Sequence, residues 1–81
     1  MNQNDIENKL FDMLSGFLEG SQVVTPQTAL LSEGVLNSLD FMNYLFTVEE
    51  MFNLRISEDD IEKYQLGVLK NLTLYVSERI N

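Results

Sequence analysis

A single proline, Pro26, interrupts this chain, and none of its four glycines lies beyond Gly67. Glycine and proline are the residues that break helices, so long stretches on both sides of Pro26 are free to be helical. Apolar spacing turns that freedom into an expectation. Ile6, Leu10, Leu14 and Phe17 recur at intervals of four, four and three, with Met13 and Leu18 beside them. That is one stripe of an amphipathic helix over residues 5–18. Asn4 followed by Glu7 reads as a capping-box start, Asp5 and Glu7 suit the positive end of the helix dipole, and Gly20 reads as the stop. Gly16 weakens this helix slightly.

Residues 19–37 show no period. Val23-Val24-Thr25-Pro26 reads as extended chain entering a turn. Leu30, Leu31, Val35 and Leu36 are then anchors that pin a long loop across a bundle. Such long connections are uncommon in compact domains and are often functional. A second helix is expected over residues 38–52, with Asn37 and Ser38 both good caps. Leu54-Arg55-Ile56 alternates like extended chain. Ser57 caps a short acidic turn, Glu58-Asp59-Asp60, with Ile61 and Tyr64 facing inward. Leu69, Leu72, Val76 and Ile80 form the stripe of a last helix over residues 68–80, and Arg79 suits its negative end. The expected fold is all-α: a small four-helix bundle of three main helices and one short one, with a long first loop.

Eighty-one residues supply one small domain, residues 1–81. Five basic against thirteen acidic side chains leave a net charge of −8. That balance argues against nucleic acid, which needs clustered Lys and Arg, and against an anionic membrane surface. The chain has no Cys and no His, so it lacks a thiolate nucleophile, the usual general base and the commonest metal ligand. No apolar run approaches the roughly 18 residues of a membrane span, and residues 1–5 lack the basic start of a signal peptide. A cytoplasmic, monomeric, non-enzymatic domain is the default expectation. The acidic run Glu58-Asp59-Asp60-Glu62 lacks the ligand spacing and central Gly of a calcium loop, so a solvated acidic turn is expected rather than a metal site.

The second helix carries a surplus of apolar surface. At 100° per residue Phe41, Tyr44, Leu45, Val48, Met51 and Phe52 share one face, expected to be core. Leu39, Met42 and Phe46 fall on a neighbouring arc edged by Glu49, while Asp40, Asn43, Thr47 and Glu50 form a polar strip. Either the helix is unusually central, or Leu39, Met42 and Phe46 are exposed beside acidic groups as a binding stripe. Pattern alone leaves both readings open. Ser38 likewise has two readings. It is a plain helix-start residue, or its hydroxyl accepts a phosphodiester that the helix N-terminus favours through free N–H groups and the dipole. With no His to activate it, a hydrolase triad is excluded.

Gly34-Val35-Leu36-Asn37-Ser38-Leu39-Asp40 resembles the segment of acyl carrier proteins that opens their second helix. Leu45, Val48, Glu49, Glu50 and Phe52 resemble that helix's ending, and Leu54-Arg55-Ile56-Ser57 its exit. The resemblance extends to length, charge and helix order over the whole chain. It implies that Ser38 carries 4′-phosphopantetheine, derived from coenzyme A, whose thiol holds acyl cargo as a thioester. It also implies that Asn37, Leu39, Asp40, Met42, Phe46, Glu49 and Glu50 form the face that meets partner enzymes. Those partners would be a phosphopantetheinyl transferase, an acyl- or aminoacyl-loading ligase and downstream synthase enzymes of fatty acid or secondary metabolite biosynthesis. Two positions depart from the family's pattern: Asn37 stands where Asp is usual, and Asn43 where many carriers of fatty acid synthesis are acidic. The Gly34–Ser38 wording is also similar to D-alanyl and aminoacyl carriers loaded by adenylating enzymes. An interaction module with no prosthetic group is the alternative from another class.

Overall fold

The computed structural model describes residues 2–18 and 22–80. Four helices are present among them: α1 Gln3–Ser15, α2 Ser38–Phe52, α3 Glu58–Lys63 and α4 Leu69–Ile80. No strand occurs among the described residues, whose only β pairing is an isolated antiparallel bridge between Ala29 and Val68. The fold is the expected small all-α bundle. Its radius of gyration of 11.6 Å matches the roughly 12 Å of a packed chain of this length.

Helix α1 starts earlier than the sequence pattern predicts. Asn2, not Asn4, is the cap, and its side-chain oxygen accepts from Asp5 N–H at 2.9 Å. Gln3 and Asn4 are thereby drawn into the first turn. The helix also ends early. Gly16 N–H donates to Met13 O and Phe17 N–H to Leu14 O at 2.8 Å, so the last turn tightens into i→i−3 bonds. Gly16 is thus the C-cap and not an interior weak point; the stop expected at Gly20 lies outside the described residues. Ile6, Leu10 and Leu14 are fully buried, and Phe17 and Leu18 pack against the core just past the helix end.

Helix α2 has the predicted bounds. Asn37 caps it, with its Oδ1 accepting from Asp40 N–H at 2.8 Å, and Asn53 closes it in the left-handed region that Asn tolerates. Phe41, Tyr44, Leu45, Val48 and Phe52 are buried. Met51, expected in the core, is 53% exposed. On the 100° spiral it lies about 80° from Phe41, at the margin of the buried arc. The Tyr44 hydroxyl donates to Leu10 O at 2.8 Å and so ties α2 to α1; burial holds that phenol well above its ordinary pKa. Phe17 meets the Tyr44 ring edge-on, with centroids 5.8 Å apart.

The first loop is pinned as expected, by Leu30 and Leu36, both buried, and by half-buried Val35. Leu31 is not an anchor: it is 42% exposed. Backbone bonds complete the anchoring. Leu30 N–H donates to Gly67 O and Lys70 N–H to Pro26 O, each at 2.8 Å. The second of these bonds gives an orphan amide of the α4 start a loop carbonyl in place of a side-chain cap.

Ser57 caps α3, accepting from Asp60 N–H at 3.1 Å. Ile61 is half-buried against the core as expected, but Tyr64 is 42% exposed. It sits at the helix end with its ring 5.6 Å from that of Tyr75, near Lys63 and Arg79. The Tyr75 hydroxyl donates to Asp60 Oδ2 at 2.6 Å, Arg79 lies 3.5 Å above the Tyr75 ring and pairs with Asp60 at 3.5 Å. This polar cluster ties α3 to α4. Leu69, Leu72 and Val76 of the predicted α4 stripe are fully buried and Ile80 half-buried.

Candidate functional site

Ser38 stands at the first position of α2, directly after its cap, and is exposed. The approach to it is set by a tight turn. Gly34 has φ +73°, in the left-handed region, and its N–H donates to Leu31 O. Glu33 clasps Ala29 from both sides: the Ala29 N–H donates to its carboxylate at 2.8 Å, and its own N–H donates to Ala29 O at 2.9 Å. Leu36 N–H returns to Leu30 O at 3.0 Å. These bonds close the loop on itself immediately before the helix.

One of the four orphan amides at the α2 start, that of Asp40, is satisfied by Asn37, whose carbonyl also opens the helical ladder. Its side chain takes Asp40 N–H and its carbonyl takes Phe41 N–H at 2.9 Å. The amides of Ser38 and Leu39 and the Ser38 hydroxyl make no hydrogen bond to any described residue. An exposed hydroxyl is therefore set beside two free N–H donors at the positive end of a helix dipole. That arrangement favours a phosphate ester on the hydroxyl. Among the described residues no base is hydrogen-bonded to the hydroxyl. Among the described residues no cluster of three or more acidic side chains could hold a metal ion.

The surplus arc of α2 resolves residue by residue. Leu39 is 71% and Phe46 54% exposed. They sit about 160° and 140° from Phe41, with Glu50 at about 180°. Met42, about 100° from Phe41, is half-buried and packs against the core. Glu50 is exposed and Asp40 half-buried. Glu49 is half-buried and turned to its own chain, with Oε2 accepting from Ile56 N–H at 2.7 Å. The exposed ridge is thus Leu39 and Phe46 flanked by Glu50, with Met42 at its root.

Two residues not singled out for this face join it. Leu54 and Arg55 border a cleft with Phe46, Glu49 and Glu50 at the C-terminal end of the ridge. The Glu49–Ile56 bond folds the chain back there, and no sequence period records such a bond. A second feature missed by the pattern is an open apolar cleft of about 340 Å³, lined by Leu30, Leu31, Phe41, Ile61 and Val68 with Glu62 and Gln65 among its polar members. Exposed Leu31 belongs to this wall. Phe41 lies one turn beyond Ser38.

No protein-family model, no curated protein and no solved structure matches this chain. No described helix is long and apolar enough to cross a membrane.

Proposed function

We propose that this chain is a carrier protein. Ser38 bears a 4′-phosphopantetheine arm, acyl intermediates ride on the arm's thiol as thioesters, and partner enzymes dock on the α2 ridge. The observation that carries the reading is Ser38 itself: an exposed hydroxyl, free of partners among the described residues, at the start of a helix whose outer face is apolar and acid-rimmed. In the loading step the Ser38 oxygen attacks the pantetheine-side phosphorus of coenzyme A. The pyrophosphate P–O bond breaks, adenosine 3′,5′-bisphosphate leaves, and the hydroxyl proton goes to a base of the transferase. The chain's own part is to present the hydroxyl and to offer the Ser38 and Leu39 amides to the new phosphate.

The apolar cleft beside Phe41 favours hydrocarbon acyl cargo over an aminoacyl group. An ammonium placed among Leu30, Leu31, Phe41 and Ile61 would give up water for mostly apolar surroundings, with Glu62 at the rim as the one carboxylate of the lining, whereas a hydrocarbon chain gains from the same walls. Exposed Leu39 and Phe46 beside Glu50 fit partners with an apolar patch ringed by basic side chains.

The test is incubation with coenzyme A and a phosphopantetheinyl transferase, followed by intact mass. One arm should be added to the wild type and none to Ser38→Ala. An unchanged wild-type mass with several transferases refutes the carrier reading and leaves an interaction module without a prosthetic group.

A further inference from the structure

Ser38 is flanked by a second cleft that shares no lining residue with the apolar one. It measures about 320 Å³ and is bordered by Phe17, Gln22, Gly34, Val35, Asn37 and Asp40. That size falls in the range of small-molecule sites, roughly 300–1,000 Å³. The wall at Gly34 is open: a Cβ added there would meet no heavy atom within 4 Å.

We propose that this cleft is the resting site of the unloaded phosphopantetheine arm; the inference rests on the carrier reading. The arm is a chain of two amides and a hydroxyl with a geminal dimethyl group near its phosphate. Laid along the apolar cleft, its amides would lie mostly against the carbon of Leu30, Leu31, Phe41, Ile61 and Val68, with partners only where Ser32, Glu62 or Gln65 comes within reach, and each amide left unpaired would carry its desolvation penalty. The polar cleft supplies both kinds of partner. Asp40 brings a carboxylate that accepts from amide N–H or hydroxyl. Asn37 brings a donor, and the capping geometry says which atom it is. Because Oδ1 receives Asp40 N–H at 2.8 Å, the outer group of that amide is Nδ2, which makes no hydrogen bond to any described residue. Phe17 and Val35, both half-buried, form an apolar wall against which the dimethyl group can pack.

This placement gives a physical role to Asn37. Asp would cap α2 as well as Asn does, and its negative charge would add a favourable interaction with the helix dipole. Only Asn adds an N–H donor at this point, one residue from the attachment oxygen.

The experiment uses the full chain, isotopically labelled, before and after loading with coenzyme A and a phosphopantetheinyl transferase. Intact mass first establishes that the arm is attached; an unmodified Ser38 ends both this proposal and the carrier reading. With the arm in place, the expected result is nuclear Overhauser contacts from the arm's methyl groups to the Phe17 ring and Val35 methyls, and a shift of the Asn37 side-chain amide signals. Asn37→Asp keeps the cap and removes the donor. Loaded to completion at whatever rate the transferase allows, and checked by intact mass, it should lose those contacts, while Ser38→Ala shows neither arm nor shifts. A loaded wild type whose shifts stop at residues 37–39 with no contact to Phe17, or an Asn37→Asp protein that keeps the same contacts, overturns the resting site and leaves the carrier reading intact.

Discussion

Glu49 shows how a single carboxylate can be claimed by the fold before any partner reaches it. Its bond to Ile56 N–H joins the end of α2 to the segment entering α3. Glu49→Lys should therefore destabilise the domain as well as alter docking, by roughly 1.5 kcal/mol, the lower range for hydrogen bonds to a charged group. Glu50 is exposed and makes no bond to any described residue. Glu50→Lys should leave unfolding within about 0.5 kcal/mol of the wild type, yet slow transferase encounter by repelling a basic patch. Urea unfolding and transferase kinetics on both variants check the pair. A Glu49→Lys protein as stable as the wild type would mean that the Ile56 amide finds water instead. The apolar positions divide in the same way. Leu45→Ala leaves a cavity in the core and should cost roughly 2–5 kcal/mol, close to the whole stability of so small a domain. Phe46→Ala should stay within about 0.5 kcal/mol and still weaken partner turnover. Met42 packs half into the core, so its truncation mixes the two effects and is the poorer probe.

At the scale of elements, α3 is the piece least supported by apolar contact. None of its six residues is buried, and its tie to α4 runs through Tyr75, Asp60 and Arg79. Burial and the hydrogen bond to Asp60 push the Tyr75 phenol up to about 12 from the ordinary 10. The neutral phenol is the form that folding favours. Its stabilisation is complete below pH 10 and is lost as pH rises from 10 through 12. Stability measured by urea should therefore fall between pH 10 and 12. Tyr75→Phe should flatten part of that fall while lowering stability at pH 8 through the lost bond. Part of the fall should remain, because Tyr44 is shifted in the same direction. An unchanged slope in Tyr75→Phe would assign the alkaline loss to Tyr44 alone. Elements governed by local chemistry were legible in the sequence. Asn37 and Ser57 are the caps of α2 and α3, and the α4 stripe is buried in place. The start of α1 was not, because Asn2 and Asn4 are equally good caps and only one turn's geometry separates them. Tyr64 and Met51 were misplaced because a period gives a residue's angle on its helix, not where the neighbouring helix stops. The Ala29–Val68 bridge and the apolar cleft depend on loop residues meeting the α4 start, a contact between segments some forty residues apart that leaves no local signature; the polar cleft joins Phe17, past the end of α1, to residues 34–40, which no local period records either. Ser38 itself was legible as a helix-start hydroxyl; its freedom from internal bonds was not.

For the whole molecule the governing quantity is charge. Thirteen acidic side chains face five basic ones, and among the described residues the only ion pair is Arg79 with Asp60. The remaining acids repel one another across a body of 34 × 26 × 20 Å. Their repulsion opposes the compact state, and salt relieves it by screening. The range of screening sets where the relief occurs. The Debye length falls from about 30 Å at 0.01 M to about 10 Å at 0.1 M and 3 Å at 1 M. At the lowest of these, charges on opposite sides of the molecule still interact; by 0.1 M only neighbours do. The melting temperature should therefore climb steeply as sodium chloride rises from about 0.01 to 0.1 M and then flatten. Sodium sulfate separates this from a general tightening of apolar burial, since excluded salts continue to stabilise at high concentration. At equal ionic strength below about 0.1 M the two salts should trace one curve and diverge only above it. Reversing one acid of the α3 turn, Asp59→Lys, should raise the low-salt melting temperature and reduce its salt dependence, because Asp59 is exposed and lies between Glu58 and Asp60. A melting temperature indifferent to chloride over that range would mean that the acids are already spaced widely enough not to oppose folding. The acidic character would then act on docking partners alone.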